Sequence, residues 1–106
     1  MALVKVCSVS DVPAGAARRV SVGTREIAVV NLGDEGFRAV DAVCSHAHYY
    51  LDEGQVDVDE ATIECWKHGS TFDLETGRPR TLPATVPVQV FPVKIEDDDV
   101  MIEVEA

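Results

Sequence analysis

The chain has 106 residues, 46% of them hydrophobic and 6% aromatic, and 19 acidic against 9 basic side chains give a formal net charge of −10. That length suits one domain with an adequate but not generous core. No apolar run reaches the length of about 18 residues that a membrane span needs, and so acidic a chain lacks the basic patch that nucleic acid requires.

The N-terminal residues are short and strand-like and lack the layout of a signal peptide. In chain order, residues 2–7, 17–22 and 25–32 are rich in Val, Ile and Ala and read as strands, with Gly23-Thr24 as the turn between the last two. Cys7 lies among apolar residues and reads as a buried small hydrophobe. A turn at 33–36 leads to a strand at 37–43. Residues 55–58 and 61–66 bracket Asp59-Glu60 as a hairpin. Strands at 86–91 and 93–95 follow. In the last strand Val100, Ile102 and Val104 alternate with Met101, Glu103 and Glu105, which places one face inward and one outward. Four of the five prolines (79, 83, 87 and 92) fall together, so an irregular loop precedes these last strands. No stretch keeps a helical period, and there are no internal repeats. The expectation is an all-β chain of antiparallel strands forming a single domain over 1–106.

Two short constellations carry chemistry: Cys44-Ser45-His46 and Cys65-Trp66-Lys67-His68, separated by 18 residues. Each offers one thiolate and one imidazole, a donor set that suits zinc or an iron–sulfur cluster. A two-iron cluster held between two loops needs each loop to reach both irons. With one Cys and one His on each loop, the thiolates can meet on one iron and the imidazoles on the other. Zinc is the alternative, since two Cys and two His also make a structural zinc set, although C-x-H is a tight spacing for one tetrahedral ion. With Cys44 and Cys65 committed to metal, Cys7 has no partner. A disulfide framework is excluded, and a reducing cytoplasm is the expected location.

Residues 44–77 run C-x-H, a leucine and an EG turn, C-x-x-H-G, then F-D-x-x-T-G. This pattern resembles the two-loop signature of Rieske proteins. The flanks Asp11-Val12-Pro13, residues 25–29 and residues 93–97 resemble small Rieske ferredoxins, so the likeness covers nearly the whole chain. It implies a Rieske-type fold with a cluster-binding subdomain, about residues 43–80, inserted into a base of antiparallel strands. It also implies one [2Fe-2S] cluster per chain, ligated by Cys44, His46, Cys65 and His68, with the two imidazoles nearest solvent as the electron exit. A proline-bearing loop covers the cluster in that family, and Leu82-Pro83-Ala84 matches it. Gly69 and Gly77 have backbone roles, in close approach to the cluster or in a tight turn.

Departures from the pattern narrow the subfamily. Respiratory and photosynthetic Rieske proteins carry an extra cysteine in each loop, and here those positions are Tyr49 and Lys67. Ser70 retains one hydroxyl that bonds cluster-region sulfur in those proteins, while Phe72 replaces a tyrosine. Fewer donors to sulfur lower the potential, toward roughly −150 mV. A terminal oxygenase needs a second iron bound by two His and a carboxylate, and only His48 remains. The chain thus resembles the ferredoxin of a multicomponent dioxygenase. That implies a soluble, monomeric one-electron carrier and not itself an enzyme, moving electrons from a flavin-dependent reductase to a terminal oxygenase that attacks aromatic rings. Rieske proteins accompanying iron–sulfur cluster assembly and nitrite reductase small subunits share the pattern and stay open as alternatives.

The remaining residues near the ligands read as follows. His48 is a polar loop side chain, because four ligands already complete a cluster. Tyr49, Tyr50 and Trp66 either pack the loops or face a partner, and Lys67 is a solvated charge. Asp52, Glu53, Asp57, Asp59, Glu60 and Glu64 all fall between the ligand pairs. They form either a solubilising surface or a negative face that steers basic redox partners.

Overall fold

In the computed structural model, residues 2–44, 49–66, 69–81 and 85–104 are described. They form ten strands: β1 (Ala2–Ser8), β2 (Ala17–Val22), β3 (Arg25–Asn31), β4 (Phe37–Asp41), β5 (Val56–Asp57), β6 (Thr62–Glu64), β7 (Thr71–Asp73), β8 (Val90–Phe91), β9 (Val93–Glu96) and β10 (Asp99–Val104). Single 3₁₀ turns occupy Val9–Asp11, Gly33–Glu35 and Leu51–Glu53.

The architecture follows from β3. Ile27, Ala28, Val29 and Val30 are consecutive, apolar and wholly buried. Successive strand residues point to opposite faces, so such a run must be covered on both sides. The strands form three antiparallel sheets, and two of them cover the sheet that holds β3. The middle one has the order β2-β3-β4-β8. On one side Ile27, Val29 and Ala39 pack with Cys7, Phe91, Val100 and Ile102, which brings in the sheet β1-β10-β9. On the other side Ala28, Val30 and Val40 pack with Leu51, Ile63, Phe72 and Leu74, which brings in the sheet β5-β6-β7.

The chain leaves the middle sheet after β4 and rejoins it at β8, where Ala39 pairs with Phe91 and Val40 with Val90. Both cysteine loops lie in that excursion. The terminal strands meet on the opposite side, with Ala2 paired to Val104 and Ser8 to Asp99. The register in β1 slips between Lys5 and Cys7. This bulge accommodates Val6 and turns Cys7 inward. Cys7 is 8% exposed, and burial raises its thiol pKa above the ordinary value, with Asp11 adding to the effect. It is a core residue, as its apolar neighbours implied.

Several element boundaries differ from the sequence reading. The strand expected over 86–91 is confined to Val90–Phe91. Pro87 has no N–H for a ladder, Val86 is 57% exposed, and the Val88 N–H donates instead to the Gly77 carbonyl at 2.8 Å. The strand expected over 37–43 stops at Asp41, and Val43 forms a single bridge with Tyr50. The hairpin at 59–60 is present, but its arms shorten to Val56–Asp57 and Thr62–Glu64, because Ala61 takes a positive φ of 54° in the turn. The turn at 33–36 tightens into a 3₁₀ turn over Gly33–Glu35. Strand β7 was not anticipated at all.

The central position of Ile27 yields a stability test. Ile27→Ala should lower the unfolding free energy by ~2–5 kcal/mol in urea titration, the range for truncating a buried aliphatic side chain. Leu3→Ala, at a site 41% exposed, should shift it far less. Equal effects would contradict the double-sided burial of β3.

Candidate metal centre

Both cysteine loops close in the same way. The Cys44 N–H donates to the Tyr49 carbonyl at 2.8 Å, and the Cys65 N–H donates to the Ser70 carbonyl at 2.7 Å. Each closure pins the cysteine at the base of its loop. Both sulfurs face inward: Cys44 is 3% and Cys65 0% exposed, both belong to one core cluster, and neither is in a disulfide. His46, His48, His68 and Lys67 lie outside the described residues, as do Leu82, Pro83 and Ala84. Among the described residues no three His, Cys, Asp or Glu side chains gather as a metal site.

The first loop rises from a neck. Val43 bridges to Tyr50, and the Leu51 N–H donates to the Ala42 carbonyl at 2.6 Å. The leucine of the motif is a core anchor, with Leu51 fully buried. The second loop is continuous with β6 and β7. Gly69 donates its N–H to the Cys65 carbonyl at 2.9 Å and has φ +78°. That backbone conformation favours glycine. No described atom lies within contact of a Cβ built there, so among the described residues the positive φ of the turn is what favours this glycine.

The F-D-x-x-T-G segment has a structural explanation. Phe72 is fully buried against Ile63 across the ladder. The Asp73 Oδ1 accepts the N–H groups of Glu75 (2.7 Å) and Thr76 (3.2 Å), and its Oδ2 accepts from Arg80 at 2.8 Å. Gly77 has φ +77°, and a Cβ there would collide with the Val88 carbonyl. Thr81 then ties the following segment back to the second loop. Its Oγ1 accepts the Thr71 N–H at 2.8 Å and donates to the Gly69 carbonyl at 3.3 Å.

Two aromatic residues join the loops. The rings of Tyr49 and Trp66 meet edge to face, 5.3 Å apart at 84°, an arrangement that the quadrupoles of the two rings favour. Trp66 nonetheless stays 47% exposed. The indole therefore packs the loops together and also presents surface. Ser70 is fully buried, in keeping with a hydroxyl retained inside the loop.

The acids divide between two ends of the small sheet. Asp52 and Glu53 lie in the 3₁₀ turn after the first loop, and Glu64 directly precedes Cys65. Asp57 faces Thr62, about 10 Å along the strand from Cys65 at ~3.3 Å per residue. Asp59 and Glu60 lie farther still, in the turn. Asp52 and Asp73 titrate in opposite senses. Burial pushes the Asp52 carboxyl up, with Arg19 opposing it. The Arg80 guanidinium beside Asp73 holds that carboxyl below the usual range, and the two backbone donors assist.

Comparisons with known proteins converge. Residues 2–92 match the model of the Rieske [2Fe-2S] domain. The biphenyl 2,3-dioxygenase ferredoxin component of Rhodococcus jostii is 42% identical over 105 residues, covering 99% of this chain and 95% of that protein. The ferredoxin of carbazole 1,9a-dioxygenase from Nocardioides aromaticivorans superposes with a TM-score of 0.90 at 29% identity, covering 96% of this chain and 97% of the other. A ferredoxin seen in complex with the oxygenase of carbazole 1,9a-dioxygenase superposes at 0.85 with 40% identity, covering 94% and 91%.

The two carboxyls have opposite pH signatures. Asp73 has a lowered folded-state pKa, so its contribution is present above the unfolded value of about 3.8 and is lost as pH falls through the folded value. Asp73→Asn should therefore destabilise by ~1–3 kcal/mol at pH 7, with the difference from the parent shrinking in strong acid. Asp52 has a raised pKa, so its ionisation opposes folding above the folded value. Asp52→Asn should leave stability at pH 7 unchanged or higher. Chemical denaturation across pH checks both signs.

Proposed function

Because the chain belongs to the Rieske [2Fe-2S] domain family, and so takes one [2Fe-2S] cluster, we propose that Cys44, His46, Cys65 and His68 hold that cluster. We propose further that the chain is the ferredoxin component of an aromatic-ring dioxygenase system. The observation that carries the ligand assignment is the matched pair of loops: two buried cysteines, neither in a disulfide, each at the base of an identically closed turn. Thiolate pairs on one iron and imidazole pairs on the other satisfy the donor rule for this cluster type. When bound, the cluster accepts and releases one electron at a time.

The chain's own residues do the rest. The buried neighbours of Cys44 and Cys65, chiefly Leu51, Ile63, Phe72 and Leu74, exclude water from the sulfur side. Residues 43–80 form the cluster-binding part, and the two terminal-strand layers form its support. A flavin-dependent reductase is the donor and a terminal oxygenase the acceptor. The second assignment is supported by the ferredoxin–oxygenase complex of the carbazole system, and the role by the name of the 42% identical relative. The chain works as a carrier and leaves catalysis to the oxygenase. A reducing cytoplasm keeps its three cysteines out of disulfides. Among the described residues no helix is long and apolar enough to cross a membrane.

Two measurements test this reading. The purified protein should contain two iron and two acid-labile sulfide per chain, as the cluster type requires, and Cys44→Ser or Cys65→Ser should abolish both. One zinc per chain without visible absorbance would refute the assignment. Electron transfer from the reductase should slow as ionic strength rises and the Debye length falls from about 30 Å to about 8 Å. Neutralising Glu53 and Glu64, at the loop end of the small sheet, should flatten that dependence more than neutralising Asp57 and Asp59. A reversed order would move the docking face away from the ligand loops.

A further inference from the structure

Tyr50 stands at the neck of the first ligand loop. Its backbone bridges to Val43, and the residues on either side of it complete the neck through Cys44 and Ala42. Two groups of the middle sheet hold its side chain. The Arg19 guanidinium, on β2, lies 3.7 Å from the ring centroid. The Glu26 carboxylate, on β3, acts on the phenol and raises its pKa above the ordinary value. Two residues on, Asp52 turns its Oδ1 away from solvent with no hydrogen-bond partner among the described residues, and Arg19 is the cation acting on it. One guanidinium thus lies on the ring face and adds its field at the half-buried Asp52 carboxylate, and a cation is favourable at each.

Strand parity makes this specific to Arg19. Arg19 pairs with Ala28, whose side chain belongs to the core that holds Cys44 and Cys65. Arg18 pairs with Val29, whose side chain belongs to the opposite core, and its charge acts on Cys7. Adjacent arginines therefore serve opposite sides of the middle sheet.

We infer that Arg19 and Tyr50 are positioning residues: their stacked pair ties the neck of the first ligand loop to the middle sheet and sets how Cys44 is presented. The inference rests on the reading that this loop holds the cluster. It also makes a claim about the polypeptide itself, namely that the neck is fastened from the side, by the edge strand.

The test compares Arg19→Gln with Arg18→Gln, which removes the same charge from the other face. Amide hydrogen exchange is read at Cys44 and Leu51, whose N–H groups close the neck, and at β3 amides as a report on global opening. Arg19→Gln should speed exchange at Cys44 and Leu51 severalfold with β3 unchanged, and Arg18→Gln should match the parent. On the iron-loaded protein, Arg19→Gln should also alter the g-values of the reduced signal and hasten iron release to a chelator, while Arg18→Gln does neither. Tyr50→Leu should reproduce these effects, and the double variant should add little, since the two residues act as one unit. Equal behaviour of the two arginine variants, or exchange that rises equally in β3, would overturn the inference. If the parent binds no iron and sulfide, the cluster reading fails by itself, and the exchange comparison still decides whether Arg19 and Tyr50 hold the neck.

Discussion

Cys44 and Cys65 each donate their amide hydrogen to a carbonyl further along the chain, Tyr49 and Ser70 respectively. The rest of the ligand-bearing end depends on these two closures. Each fixes a cysteine at the mouth of its loop with the sulfur in the core. That is why a C-x-H and a C-x-x-H can share one architecture. The closure spans the same interval in both, 44 to 49 and 65 to 70, and only the sequence position of the histidine within that interval differs. The loops also hang from different supports. The first rises from a neck on the middle sheet, and the second is continuous with β6 and β7. A ligand set drawn from both would cross-link two layers, so metal binding and folding of this end are coupled.

Much of the fold was legible because the relevant patterns were long. The alternation of Val100, Ile102 and Val104 marks β10, and the Val-, Ile- and Ala-rich stretch at 25–32 marks β3, whose cover on both faces only the structure shows. The failures were short or polar. Strand β7 has three residues, one a buried Phe between Thr and Asp, and no period can be read from that length. Residues 86–91 looked extended and are extended only in part, because a proline and a donor drawn to Gly77 remove them from the ladder. Register was hidden as well: nothing in residues 2–8 announces the bulge that turns Cys7 inward.

The candidate site shows the same division. Cysteines and histidines announce themselves, because few side chains bind soft metals and their spacing is local. The Asp73 carboxylate was visible as a motif letter, but its work is structural: it organises the turn at 75–76 and anchors Arg80. Tyr50 was visible only as an aromatic that packs the loops or faces a partner, and Arg19 and Glu26 gave no signal, since the three residues come from segments distant in sequence. The surface acids looked like a single block along the chain. A hairpin divides them between two ends, because consecutive residues on opposite arms run in opposite directions.

The pairing of β1 with β10 carries a consequence for biogenesis. Ala2 faces Val104 and Ser8 faces Asp99, so within this chain the earliest strand finds its ladder partner only after the last has been made. Until then β1 is an exposed apolar edge, open to non-native pairing. The loop that its closure traps is nearly the whole chain, and the entropy of closing it grows only logarithmically with length, so the delay is kinetic more than energetic. Because the paired ends lie on the far side of the middle sheet from the cysteine loops, a peptide fused at either end would emerge away from them.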